Sequence, residues 1–219
     1  ERDLYALPDP NTFNILPWRP KVNAVAKMFC DIVTPDNNPF DGDPRSVLKR
    51  NLDKAAEKGY TYYVAPELEY FYFKNNQSID FLDKSGYFDQ DAHGLGTDLR
   101  RETVLTLEEM GIPVESSHHE AAPSQHEIDL RHTDALTMAD TVMTYKLVVK
   151  EIAMNHGVFA SFMPKPAKGI NGNGMHTHMS LFKGDKNAFY EEGQSHHLSS
   201  TGRQFCAGLL KHAREITLV

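Results

Sequence analysis

Residues 60–73 read Tyr60-Thr61-Tyr62-Tyr63-Val64-Ala65-Pro66-Glu67-Leu68-Glu69-Tyr70-Phe71-Tyr72-Phe73. Aromatic and β-branched residues dominate, so the stretch reads as β structure with Pro66 interrupting it. Side chains on a strand alternate between its faces. Glu67 and Glu69 therefore share one face, and Leu68 takes the other. Two neighbouring carboxylates in an aromatic strand repel unless something positive lies between them. An edge strand with both glutamates in water would satisfy the same pattern.

On either side of this strand, helical and extended signals alternate. Asp43 caps a helix that starts at Pro44, runs to about Lys58 and stops at Gly59. A second helix spans Leu95 to about Met110, with Gly111 as its stop. The longest runs from about Asp134 to His156, with Thr133 as cap and Gly157 as stop. A last one covers about Ser199 to Ile216. Asn23–Val33, Val158–Phe162 and Met175–Phe182 read as strands. Residues 1–20, rich in Pro and Asn, read as an extended connector. Interleaved strands and helices make this a mixed α and β domain.

Two further stretches carry chemistry. Glu115-Ser116-Ser117-His118-His119-Glu120 is followed by Ala121-Ala122-Pro123-Ser124-Gln125-His126-Glu127-Ile128-Asp129. Glu115, Glu120 and Glu127 thus lie close in sequence to three histidines, with Pro123 to turn the chain. A polar surface loop would have a similar composition. In Asn171-Gly172-Asn173-Gly174-Met175-His176-Thr177-His178-Met179-Ser180-Leu181, glycines that admit close approach of a ligand precede a clean alternation. His176, His178 and Ser180 face one way; Met175, Thr177, Met179 and Leu181 face the other. A lone histidine is usually structural. Two on one face behind a Gly-rich turn point to a site.

Carboxylates are hard oxygen ligands suited to Mg²⁺ and Mn²⁺, and imidazole extends the choice toward Mn²⁺. Paired ions of this kind neutralise a triphosphate and the charge on a transferred phosphoryl group. No GxxxxGK[ST] loop occurs, and His93-Gly94-Leu95-Gly96-Thr97 lacks the third glycine of a dinucleotide loop. A nucleotide here would be held by metals and scattered side chains.

Composition limits the other classes. Hydrophobic residues at 40% and charged residues at 24% are ordinary for a globular protein. A net charge of −7 with no basic stripe argues against nucleic acid. No apolar run reaches the roughly 20 residues of a membrane span. Cys30 and Cys206 form no CxxC pair and read as buried free thiols in a reducing compartment. Neither end of the chain looks like a natural terminus.

Taken in order, these patches resemble the catalytic domain of type I glutamine synthetase. The resemblance rests on Asp41-Gly42-Asp43-Pro44-Arg45, Pro66 to Phe71, His118 to Ile128, Met163-Pro164-Lys165-Pro166 and Asn171 to His178. It covers nearly the whole chain, and the last motif is the most specific. It implies an α+β fold: a mainly antiparallel curved sheet with flanking helices. Residues 1–20 would be a connector after a missing N-terminal β-grasp domain, and 21–219 an incomplete catalytic domain. The resemblance implies that Glu69, Glu120 and Glu127 ligate one metal, and Glu67 and His176 a second. Asn171 and Gly172 would contact the substrate; Glu115, His178 and Ser180 would line the nucleotide pocket.

The family reaction joins ammonia to glutamate with ATP, through γ-glutamyl phosphate, in a cytoplasmic double hexameric ring. Two or more Mg²⁺ or Mn²⁺ ions serve each site. The catalytic aspartate and the flap glutamate would lie outside this chain, so the isolated chain is expected to be weakly active or inactive. A γ-glutamyl ligase for another amine would keep the same metal set. An inactive relative has no need of five costly ligands together. A zinc hydrolase would favour histidines over carboxylates.

Overall fold

The computed structural model describes residues 3–90 and 94–218; His93 of the glycine-containing stretch, and both chain ends, lie outside that range. The strands are β1 (Tyr5–Pro8), β2 (Asn14–Ile15), β3 (Ala26–Lys27), β4 (Cys30–Val33), β5 (Thr61–Phe73), β6 (Val114–His119), β7 (Gln125–Leu130), β8 (Thr133–Asp134), β9 (Phe159–Ser161), β10 (Met175–Lys183) and β11 (Lys186–Asn187). The helices are α1 (Pro44–Glu57), α2 (Leu95–Glu109), α3 (Ala135–Asn155), α4 (Ser200–Lys211) and α5 (Ala213–Ile216). The main sheet has the order β11-β10-β5-β7-β6, with β8 and β9 also paired to β5. Every pairing in it is antiparallel. The fold is the expected α+β arrangement, and β5 is its central strand.

Pro66 does not interrupt β5, which is continuous through it. Backbone donors alternate along a strand. Glu69 N–H donates toward Gly174 O on the β10 side, and Tyr72 N–H toward Ser124 O on the β7 side. Position 66 shares the parity of 72, so its missing donor falls on the β7 side. There β7 reaches only Glu67 and β8 begins at Val64. The proline occupies the gap between two partners, and the sheet loses no hydrogen bond.

One face of β5 is apolar throughout. Leu68, Tyr70 and Tyr72 are buried with Ile128 and Leu130 of β7, beneath Leu99 and Leu107 of α2 and Tyr145, Val148, Val149 and Ile152 of α3. Those α3 residues recur at helical spacing, which turns one stripe of the helix to the sheet. Tyr145 donates its hydroxyl proton to Leu68 O at 3.1 Å, so its buried polar tip is satisfied. Asp134 caps α3 by accepting from Thr137 N–H at 3.0 Å. The expected cap, Thr133, is instead paired in β8 with Val64.

Other expectations need correction. Asn23–Val33 is not one strand. Val22 and Val25 are exposed, so no buried face fixes a single register there. Ala26–Lys27 pairs with β2, and Cys30–Val33 with β1. The same pairings give residues 5–8 and 14–15 of the connector short strands of their own. The last helix breaks at His212 into α4 and α5. Both cysteines are free, but neither is buried: Cys30 is half-buried and Cys206 exposed.

Candidate metal centre

The other face of β5 builds the site. Antiparallel registers set Glu69 opposite Glu127, and Glu67 opposite both Asp129 of β7 and His176 of β10. β6 adds His118 opposite Glu127. After β6 the chain turns at Ala121–Ser124, with Glu120 N–H donating to Gln125 O at 2.7 Å. That turn folds the Glu120 carboxylate back over the strands. Glu69, Glu120 and Glu127 each offer an oxygen, and these oxygens all lie within 4.8 Å of one another. They are the three residues expected to share one metal.

The oxygens are held in different ways. Glu69 accepts from Gln125 Nε2 at 2.8 Å and from Gly174 N–H at 3.0 Å. Gln125 Nε2 also lies 2.9 Å from Gly172 O and 3.0 Å from Asn173 Oδ1. Glu127 is buried, and its Oε1 has no partner among the described residues; Asp129 Oδ1 has none either. Burial, then the Asp129, Glu120 and Glu69 carboxylates around it, push the Glu127 carboxyl up to about 8. Unpartnered buried oxygens amid other carboxylates are placed to accept a cation. Four or more carboxylates with an adjoining imidazole suit a hard divalent ion such as Mg²⁺ or Mn²⁺.

Glu67, Glu69, Glu120, Glu127, Asp129, His118, His176 and Tyr87 line one cavity of about 370 Å³. The two residues expected to hold a second metal, Glu67 and His176, thus share it with the first set. Glu67 Oε1 also meets His178 Nε2 at 2.6 Å. A second ligand group brings together His118, Glu127 and Asp129. A neighbouring cleft of about 620 Å³ is lined by Glu115, His178, Ser180, Tyr63, His132 and Phe182 among others. All three residues expected around a nucleotide are in its walls. Glu67 and Asp129 border both spaces. Asn171 and Gly172 lie outside the acidic cavity's lining; Gly172 is tied to it by the hydrogen bond its carbonyl accepts from Gln125.

Sequence reasoning did not single out Asp129, His118, Tyr87 or Gln125. Asp129 had a signal: Glu127-Ile128-Asp129 repeats the alternation already used for Glu67-Leu68-Glu69. Tyr87 had none, because the loop that follows β5, which carries no strand or helix period, brings it to the cavity.

Comparison with known proteins shows the family. Residues 41–219 match the family described as glutamine synthetase, catalytic domain. The chain is 51% identical to the glutamine synthetase of Clostridium saccharobutylicum, over all of this chain and 50% of that protein. It is 48% identical to that of Thermotoga maritima, over all of this chain and 51% of that protein. Among solved structures, the Plasmodium falciparum glutamine synthetase superposes with a TM-score of 0.89 at 29% identity, over 96% of this chain and 47% of that one. The GmaS/ADP complex gives 0.90 at 34% identity, over 99% of this chain and 50% of that one. The chain spans about half the length of the curated relatives it matches.

Proposed function

Because the chain belongs to the glutamine synthetase family through its catalytic domain, we propose that it forms the metal- and nucleotide-binding half of an enzyme that joins ammonia to glutamate at the expense of ATP. The observation that carries this reading is the convergence of the Glu69, Glu120 and Glu127 oxygens beside the Glu67–His176 pair.

Divalent ions, bound there, would offset charge on the triphosphate and on the phosphoryl group in transit. Glu69, Glu120 and Glu127 would hold one ion; Glu67 and His176 would hold the other. His178, Ser180 and Glu115 wall the adjoining cleft, where the nucleoside would lie. Glu67 and Asp129 stand where cleft and acidic cavity meet, so a nucleotide in the cleft would direct its phosphates toward the carboxylates. Asn171 and the Gly172 backbone would position glutamate. Gln125 ties Gly172 O to Glu69 and so couples that segment to the metal ligands.

The proposal extends to Mg²⁺ or Mn²⁺ as the ions, to residues 1–20 as a connector before the catalytic domain at 21–219, to a homo-oligomeric ring as the working unit, and to the cytoplasm as its location. Among the described residues, no helix is long and apolar enough to cross a membrane. The test is calorimetric titration of Mn²⁺, with ADP present, into the chain and its Glu69→Ala and His176→Ala variants. Binding that weakens in both variants supports the reading. Binding indifferent to both, in folded protein, overturns the ligand assignment.

A further inference from the structure

Asp83 lies outside the metal cavity, yet it fastens the segments around it. Its Oδ1 accepts from Ser124 N–H at 2.9 Å, Ser85 N–H at 3.1 Å and His119 Nε2 at 3.0 Å. Its own N–H donates to Ser124 Oγ at 2.9 Å. Its Oδ2 stands 3.8 Å from His126 Nε2.

Neighbouring groups fix which ring nitrogens carry protons. Arg100 Nη1 lies 2.7 Å from His126 Nδ1. A guanidinium only donates, so His126 Nδ1 is the acceptor and its Nε2 carries the hydrogen. His119 Nδ1 lies 2.7 Å from Glu120 O, which only accepts, so that nitrogen is protonated. His119 Nε2 faces the Asp83 carboxylate and donates to it. Asp83, His119 and His126 are close enough to suggest a metal site. A metal would need a ring lone pair from each histidine, and Arg100 holds the His126 tautomer that denies it. The cluster is a hydrogen-bonded anchor. Burial raises the Asp83 carboxyl, but the hydrogen bonds from His119 and Ser124 N–H, with the His126 N–H facing it at 3.8 Å, outweigh it and hold the group well below its ordinary range.

The anchor connects directly to the proposed ligands. Phe88 N–H donates to His119 O at 3.0 Å. The Phe88 ring stacks on His118 at 4.7 Å and 10°. His118 in turn lies 3.3 Å from Glu127 and 3.5 Å from Glu120. Phe88 sits at φ 59°, which a bulky side chain adopts only when its surroundings impose it. A Cβ at Gly96 would lie 2.7 Å from His126 Nε2, so α2 admits the ring only because that position is glycine.

We propose that Asp83 is a positioning residue: it locks the 83–88 strap and the His119 backbone in one register, so that Glu120 and Glu127 are held ready for a cation. The importance of that register rests on the metal-site reading above; the register itself does not.

The test compares the chain with Asp83→Ala, Asp83→Asn and Ile152→Val. It reads amide hydrogen exchange at Phe88 and Glu120, Mn²⁺ affinity and thermal stability. Ile152→Val lowers stability in the core without touching the anchor. Asp83→Ala should speed exchange at both amides by about tenfold or more, and should weaken Mn²⁺ binding about 10–100-fold, the scale of lost outer-shell support. Asp83→Asn keeps an oxygen for His119 and Ser124 and should show a smaller change. Ile152→Val should move stability alone. Unchanged exchange in folded Asp83→Ala, or an equal rise in Ile152→Val, overturns the proposal. If Asp83→Ala does not fold, Asp83→Asn decides by the same comparison. Mn²⁺ binding that survives Glu69→Ala counts against the metal reading alone, and the exchange result still judges the anchor.

Discussion

Glu69 of β5 and Glu127 of β7 stand directly opposite one another across an antiparallel register, with Glu120 folded over both. Like charges so placed destabilise a sheet. Near neutral pH Glu127, its carboxyl pushed up to about 8, escapes that repulsion by holding a proton, at a cost that Glu127→Gln removes. In chelator near neutral pH the variant should be more stable than the parent, by up to about 1 kcal/mol. Its Mn²⁺ binding should fall at least about tenfold. Thermal unfolding with and without Mn²⁺ checks both; a variant less stable in chelator would mean that the carboxylates are not in conflict.

Asp43 offers a pH test far from that cluster. It caps α1, accepting from Arg45 N–H at 3.2 Å and Ser46 N–H at 3.1 Å, and also takes Ile32 N–H at 3.3 Å. Burial pushes its carboxyl up, but the Ser46 hydroxyl and these backbone donors outweigh that and leave it below its ordinary 3.8. A depressed folded value means that the stabilisation is full above the unfolded value and is lost as pH falls through the folded one. Asp43→Ala should cost about 1–2 kcal/mol at pH 7, the scale of a lost N-cap. The gap from the parent should narrow below about pH 4. Urea unfolding at pH 7 and pH 3 measures it, and a gap that widens in acid would refute the assignment.

Gly172 and Gly174 should respond differently to alanine. A Cβ at Gly172 would collide with the Pro164 carbonyl oxygen, which is backbone and cannot move away cheaply. A Cβ at Gly174 would lie 3.2 Å from Glu69 Oε1, a side-chain atom that can yield. Gly172→Ala should therefore lower stability by about 1–3 kcal/mol. Gly174→Ala should leave stability closer to the parent and weaken Mn²⁺ binding, because Glu69 must shift. Paired melting and calorimetry of the two variants would expose a reversed order.

Pro66 should be nearly dispensable for folding. Its missing donor faces the gap between β7 and β8, so Pro66→Ala restores no lost ladder bond. A change within about 1 kcal/mol is expected by denaturant titration. A gain well above that would show that the proline does break the sheet.

Arg45 joins the amino-terminal segment to the helices. It reaches Asp9 at 2.8 Å, Asp31 at 2.6 Å and Asp140 at 3.0 Å. Arg45→Met leaves three aspartates facing one another and should free β1 first. Faster amide exchange at Leu7, which lies opposite Asp31 with its N–H turned toward β4, would report it ahead of global unfolding. Unchanged exchange there would place the anchoring of β1 elsewhere.

The sequence by itself determined most of what depends on local period and chain direction, the cap of α3 and the break at His212 apart. It separated Glu67 and Glu69 from Leu68, and His176, His178 and Ser180 from their neighbours, because strand alternation needs no knowledge of partners. It marked the helix stops at Gly59, Gly111 and Gly157, and the cap at Asp43. It also grouped Glu69, Glu120 and Glu127, though only through the family resemblance. Tertiary structure decided which strand lies beside which, and so which carboxylates meet. Nothing local to β5 says that its proline falls in a gap between two partners. Nothing local to Asn23–Val33 says that its halves pair with different strands. Tyr87 and Asp83 reach the site from a loop that carries no periodic signal. Their positions come from contacts with His118, His119 and Ser124, distant in the chain. Period is a property of neighbouring residues, whereas register, gaps and anchors are properties of pairs brought together only when the apolar face of β5 is buried against α2 and α3.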